Sequence, residues 1–296
     1  MLIFNSTKNN AIDALEILLK GDLNWSVSKE KLQTSSGIET DHVAIVREDQ
    51  KTILGVHKSG YEVFQNQQLA ELILDLSQQS GAPIHSVGHL KGGAKVYIQL
   101  KGTNLRLGDD MVEGFHTIVN SFDGSTSLGC GTSTKTISCQ NTFFAAYREL
   151  DAKIKHTKGM QVKIDDLLRA IDTFRKEEAS NFDLIRKLAS QPYTLSAVDS
   201  VFKVMFDTTF DTAAANAKAK AADRTLSTKK TNLIETFTAD LKDQINEKGQ
   251  TLWGLFSGVT KYTTHHIGSD SAETKMFGSV AKNERLILSK LAELVK

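Results

Sequence analysis

The sequence predicts an α+β protein. Its N-terminal half is expected to form a curved antiparallel β-sheet, built from hairpins and packed on helices, and its C-terminal half to be mainly α-helical. Three observations carry this. Runs rich in Val and Ile (His42–Arg47, Thr52–His57, Ile84–His89, Lys95–Leu100, Phe115–Phe122) alternate with short polar turns. After His156 such runs stop, and apolar residues recur at helical spacing instead. Only two prolines, Pro83 and Pro192, interrupt 296 residues, so elements can run long. The expected division is a sheet-and-hairpin core over 1–160 and a helical region over 161–296.

In chain order, Asn10–Lys20 reads as a short amphipathic helix with Ile12, Leu15, Leu18 and Leu19 inward and Gly21 as its stop. The polar turn Glu48–Lys51 joins the first two strands. A helix follows Gln65-Asn66, with Leu69, Leu72, Ile73 and Leu76 on one stripe, and ends near Gly81. Lys91–Ala94 is the next hairpin turn. The stretch Asn120–Tyr147 is expected to fold as a hairpin leading into a helix. Asp123-Gly124 suits a type I′ turn, and the second arm, Thr132–Cys139, alternates hydroxyl and apolar faces. Asn141 or Thr142 would cap a helix carrying Phe143, Tyr147, Leu150 and Ile154. Beyond it, helical periodicity covers Leu167–Phe174, Val198–Met205, Thr212–Lys248, Thr251–His266 and Ala281–Val295.

Composition narrows the function classes. Net charge is +1 with 24% charged residues, so any phosphate binding must come from a local patch. Two cysteines, Cys130 and Cys139, do not make a disulfide framework and fit a reducing compartment. No apolar run reaches membrane-spanning length, which leads to the expectation of a cytoplasmic chain without membrane contact. Gly92–Lys95 lacks the flanking residues of a phosphate loop, the histidines lack metal-ligand spacing, and no serine or cysteine sits in a nucleophile context. The chain is expected to be no enzyme and to need no cofactor or metal.

The local patch lies past the hairpin. Between Asn120 and Lys163 stand six cations, Lys135, Arg148, Lys153, Lys155, Lys158 and Lys163, against the three anions Asp123, Glu149 and Asp151. A solvated helix face explains such an excess. Single-strand nucleic-acid binding explains it too, if planar side chains stand nearby for bases to stack on. Tyr61 and Phe144 are the aromatics chosen for that role.

An ordered set of motifs points the same way. Gly60-Tyr61 with Gln65-Asn66, Gly92-Gly93 with Val96-Tyr97-Ile98, Asn120–Ser125, Cys139–Thr142, Lys155-His156-Thr157, Leu252-Trp253-Gly254 and Val259–Tyr262 resemble the phage/plasmid-like family known as domain of unknown function 932, over roughly residues 40–280. The resemblance implies a mobile-element protein. At the level of strand order the family is similar to single-strand annealing proteins, in which a sheet with a long hairpin packs on a helix and subunits assemble into rings or filaments around single-stranded DNA. Where an Arg is common in the family this chain has Lys135, which neutralises phosphate without the bidentate fork.

The expected function is therefore binding and annealing of single-stranded DNA by a homo-oligomer, without nucleotide hydrolysis. Phosphates would be held by Lys135, Arg148, Lys153, Lys155, His156 and Lys158, and bases by Tyr61 and Phe144. The alternative is a phage-encoded protein-interaction or host-inhibitory factor that presents the basic segment Ala214–Lys230 to a protein partner.

Overall fold

The structure, a computed structural model, describes residues 2–3, 13–108, 110–136, 142–143, 154–157, 160, 171–212, 228–267 and 278–296. The fold is α+β, with antiparallel sheet in the N-terminal region and helices in the C-terminal one. The chain forms two compact units. One comprises 1–103, 114–133 and 146–178, and the other 104–113, 134–145 and 179–296.

In the first unit, strands β2 (Val27–Gln33), β3 (Glu39–Arg47) and β4 (Thr52–Lys58) form a three-stranded sheet in that order. The β3–β4 hairpin turns through residues 48–51 as the sequence predicts. Strand β2 is not foreseen, because Lys29, Glu30 and Lys31 hide its period. It is an edge strand on which those charges stay exposed, a common guard against edge-to-edge pairing. Val27, Val43 and Ile45 enter the core. Arg47 is buried at the end of β3. Its guanidinium donates twice to Asp49 (2.8 and 2.9 Å) and once to Gly92 O (3.0 Å), and lies 4.3 Å from the Trp25 ring centre.

Helix α1 (Ala14–Lys20) is capped by Asp13, whose carboxylate accepts from Glu16 N. The buried face of α1 agrees with expectation at Leu18 and departs from it at Leu15 and Leu19, while Ile12 lies outside the described residues. Ile17 and Leu18 are buried, whereas Leu15 and Leu19 are 53% and 60% exposed. Helix α2 (Asn66–Ser80) matches expectation, with Leu69, Leu72, Ile73 and Leu76 buried and a left-handed Gly81 (φ 69°) ending it.

The six-stranded sheet runs β1-β5-β6-β7-β8-β9, where β1 is Leu2–Ile3, β5 Ile84–Leu90, β6 Lys95–Leu107, β7 Asp110–Ser121, β8 Gly129–Thr136 and β9 Thr142–Phe143. Two expectations fail here. The connection after β7 is no two-residue type I′ turn, because only Gly124 has positive φ (68°) and residues 122–126 form a wider bend. In it Ser121 Oγ donates to Thr126 O, and Asp123 accepts from Ser125. The chain at Thr142-Phe143 does not start a helix either: it pairs antiparallel with Thr134 and Lys135. Ile154 is buried as foreseen, but in a β-bridge to Leu128.

In the second unit, helices α4 (Leu195–Phe206), α5 (Thr228–Lys248), α6 (Leu252–His265) and α7 (Ser279–Glu293) follow α3 (Ile171–Ser190), whose second half belongs here. Helix α6 is buried on nearly all sides, and it approaches α5 closely because Gly258 faces Leu241, where a Cβ would lie 2.6 Å from Leu241 Cα. Phe202, Phe206, Phe237 and Tyr262 form an edge-to-face cluster with centroids 5.1–6.2 Å apart.

Candidate nucleic-acid interface

Tyr61, Gln65, Asn66, Asn120 and His156, residues of four of the ordered motifs, gather at the loop Ser59–Gln65. Gln65 uses its side-chain amide to bond Val27 from both ends, donating to Val27 O (2.9 Å) and accepting from Val27 N (3.1 Å). Asn66 donates to Leu23 O and Trp25 O, and Asn120 donates to Phe64 O (2.9 Å). These amides satisfy backbone that no sheet ladder reaches, so they fix the loop against its surroundings.

The loop's own anchor is a stack of three rings. Tyr61 lies parallel to His57 (centroids 4.0 Å, 11°) and to His156 (4.9 Å, 16°). Each ring is also tied to a carbonyl: His57 Nε2 to Phe122 O (2.8 Å), Tyr61 Oη to Ser121 O (2.7 Å) and His156 Nδ1 to Glu62 O (3.0 Å). A carbonyl only accepts, so His57 carries hydrogen on Nε2 and His156 on Nδ1. Glu62 N returns a bond to His156 O (3.1 Å). Glycine makes the approach possible, since a Cβ at Gly55 would collide with Phe122 O and one at Gly124 would meet the His57 ring.

The electrostatics follow from burial. Burial foremost, and then the Asp123 charge, push the Tyr61 phenol up, so it stays protonated and donating. Burial pushes the His156 imidazole down; its bond to Glu62 opposes this and the neighbouring His57 adds to it. His156 Nε2 is buried with no hydrogen-bond partner, so a second proton there would find no acceptor.

Two residues of the sequence-predicted site stand in this stack. Tyr61 has its hydroxyl bonded and its ring stacked by both imidazoles. His156 is 7% exposed, and its burial lowers its affinity for a second proton. Lys155, next to it, is exposed. Two lysines absent from the predicted set stand at the same loop. Lys58 is exposed at the end of β4, and exposed Lys29 donates to Ser59 O (2.9 Å) and Tyr61 O (2.7 Å). Asp41, Glu62 and Asp123 border the loop as well, so its charge is mixed. Lys135 is placed in β8 by its backbone alone, and Arg148, Lys153, Lys158 and Phe144 lie outside the described residues. The local sequence signal for Lys29, a charged strand, was the same one that hid β2.

Residues 53–287 match the family described as Domain of unknown function (DUF932). The chain belongs to this family. No curated protein and no solved structure matches it. Among the residues of the ordered motifs, Tyr61, Gln65, Asn66, Asn120 and His156 make the bonds that hold the loop. Among the described residues no group of three or more His, Cys, Asp or Glu could hold a metal ion, and no helix is long and apolar enough to cross a membrane.

Proposed function

We propose that this protein binds single-stranded DNA and promotes annealing of complementary strands in a phage or plasmid, as a homo-oligomer and without nucleotide hydrolysis. The observation that supports it is the convergence of exposed Lys29, Lys58 and Lys155 on a loop whose conformation is fixed by a ring stack and by side-chain amides. Fixed cations neutralise a flexible polyanion at lower entropic cost than mobile ones. In sequence, Lys155 belongs to the positive stretch Lys135–Lys163, which extends the charge beyond the loop. Annealing is downhill, so a protein that screens strand repulsion needs no catalytic group.

The test is fluorescence anisotropy of a labelled oligonucleotide across a salt series. Affinity should fall with salt at a slope of about −0.7 in log affinity per phosphate contact. Absent or salt-independent binding refutes the proposal. Mixing complementary strands with and without protein then reads annealing itself.

A further inference from the structure

A second site lies in the first unit, away from the ring stack. Glu178, on α3, is 5% exposed, and its carboxylate reaches the β6–β7 pair, accepting from Thr103 N (3.0 Å) and Thr103 Oγ1 (2.6 Å). Gly102 and Gly114 make room for it, since a Cβ at either would collide with Glu178 Oε1. His116 Nε2 stands 3.8 Å from the same oxygen. Beside this carboxylate opens a cavity of about 230 Å³, with Leu76, Ala82, Pro83 and Leu100 as its apolar lining and Lys101 and His116 as its basic one.

We infer that this cavity binds a free amino acid with a short apolar side chain. The lining supplies one fixed anion, the basic side chains of Lys101 and His116 and an aliphatic surface, and a zwitterion with an aliphatic body is the small molecule that complements all three. Its ammonium would take the open lone pairs of Glu178, its carboxylate would face Lys101, and its side chain would lie on Leu76 and Leu100. The volume is below the usual range for drug-sized ligands, which favours a small metabolite. A carboxylate used only as a clamp between α3 and the strands would need no cavity at its flank.

Calorimetric titration of the full chain with leucine, 3-methylbutylamine and 4-methylpentanoate tests this, because each analogue deletes one charged end of leucine. Leucine should bind at one site, and each analogue at least about tenfold more weakly, as expected for losing a charge-assisted contact. Glu178→Gln should weaken leucine by a similar factor. Ala82→Leu fills the cavity without touching the clamp and should abolish binding, so the decision stands even where Glu178→Gln fails to fold. No heat with leucine, equal binding of either analogue, or unchanged binding to Ala82→Leu would overturn the inference. It stands independently of DNA binding.

Discussion

The pH dependence of stability should report on the ring stack through one histidine. In the folded chain, burial lowers the affinity of His156 for a second proton, and Nε2 has no acceptor for it; in the unfolded chain the ring titrates near its ordinary value, about 6.5. Below that value the unfolded state binds more protons than the native one, so stability must fall as pH falls. From pH 7.5 to 5.5, a histidine that stays neutral when folded costs the native state about 1.4 kcal/mol, which is the upper bound for this ring. His156→Asn supplies the comparison, because an Asn amide can replace the Nδ1 bond to Glu62 O and does not titrate. Losing the stacked ring removes a packing contribution of roughly 1 kcal/mol that does not itself depend on pH, so the variant starts below the native chain at pH 7.5. Urea unfolding at pH 7.5, 6.5 and 5.5 should then show two curves that converge, with the native chain losing its advantage as pH drops. Parallel curves, or a steeper fall for His156→Asn, would refute the argument that a buried neutral imidazole holds this loop.

Three further outcomes are expected. Gly114→Ala should force Glu178 out of its pocket and forfeit both bonds to Thr103, a loss of about 3–6 kcal/mol at 1.5–3 per charge-assisted bond, read as a fall in melting temperature. Arg47→Met should cost about 2–4 kcal/mol in chemical denaturation. It strands Gly92 O and removes the cation over Trp25, while the exposed Asp49 recovers its hydration. On the DNA-binding proposal, Lys29→Ala, Lys58→Ala and Lys155→Ala should each reduce the salt slope of oligonucleotide binding by about 0.7, as seen by anisotropy; unchanged slopes would place the phosphate contacts elsewhere.

Legibility in the sequence tracked how local the determining forces are. The β3–β4 hairpin, α2 with its glycine stop and the buried α6 were readable, because each carries its own period and its own stop signal within a few residues. Helix α1 was legible, but its buried face only in part, since the run Ile17-Leu18-Leu19 offers several apolar faces and only packing chooses Ile17 and Leu18. Strand β9 was misread as a helix start because its partners, Thr134 and Lys135, outweigh the capping signal of Asn141 and Thr142. At the site, the ring stack was illegible, because both imidazoles that stack on Tyr61 come from other segments, one far along the chain. Lys29 was overlooked as a site cation because a lone surface lysine carries no signal until another segment folds against it.

The distribution of polar groups at the loop argues for a platform held ready in advance of any partner. Three rings bind three backbone carbonyls, at Phe122, Ser121 and Glu62, and two side-chain amides bind three more, at Val27, Leu23 and Trp25. A loop that had only to connect β4 to α2 could meet its backbone needs with water on the surface. Here the chain instead spends titratable and amide side chains to exclude alternatives, and accepts a buried nitrogen without a partner to do so. Such investment is expected where the groups left outside, the lysines around the loop, must keep a set spacing. The same stack that fixes them also makes that spacing sensitive to acid, because its protonated form has no acceptor to turn to.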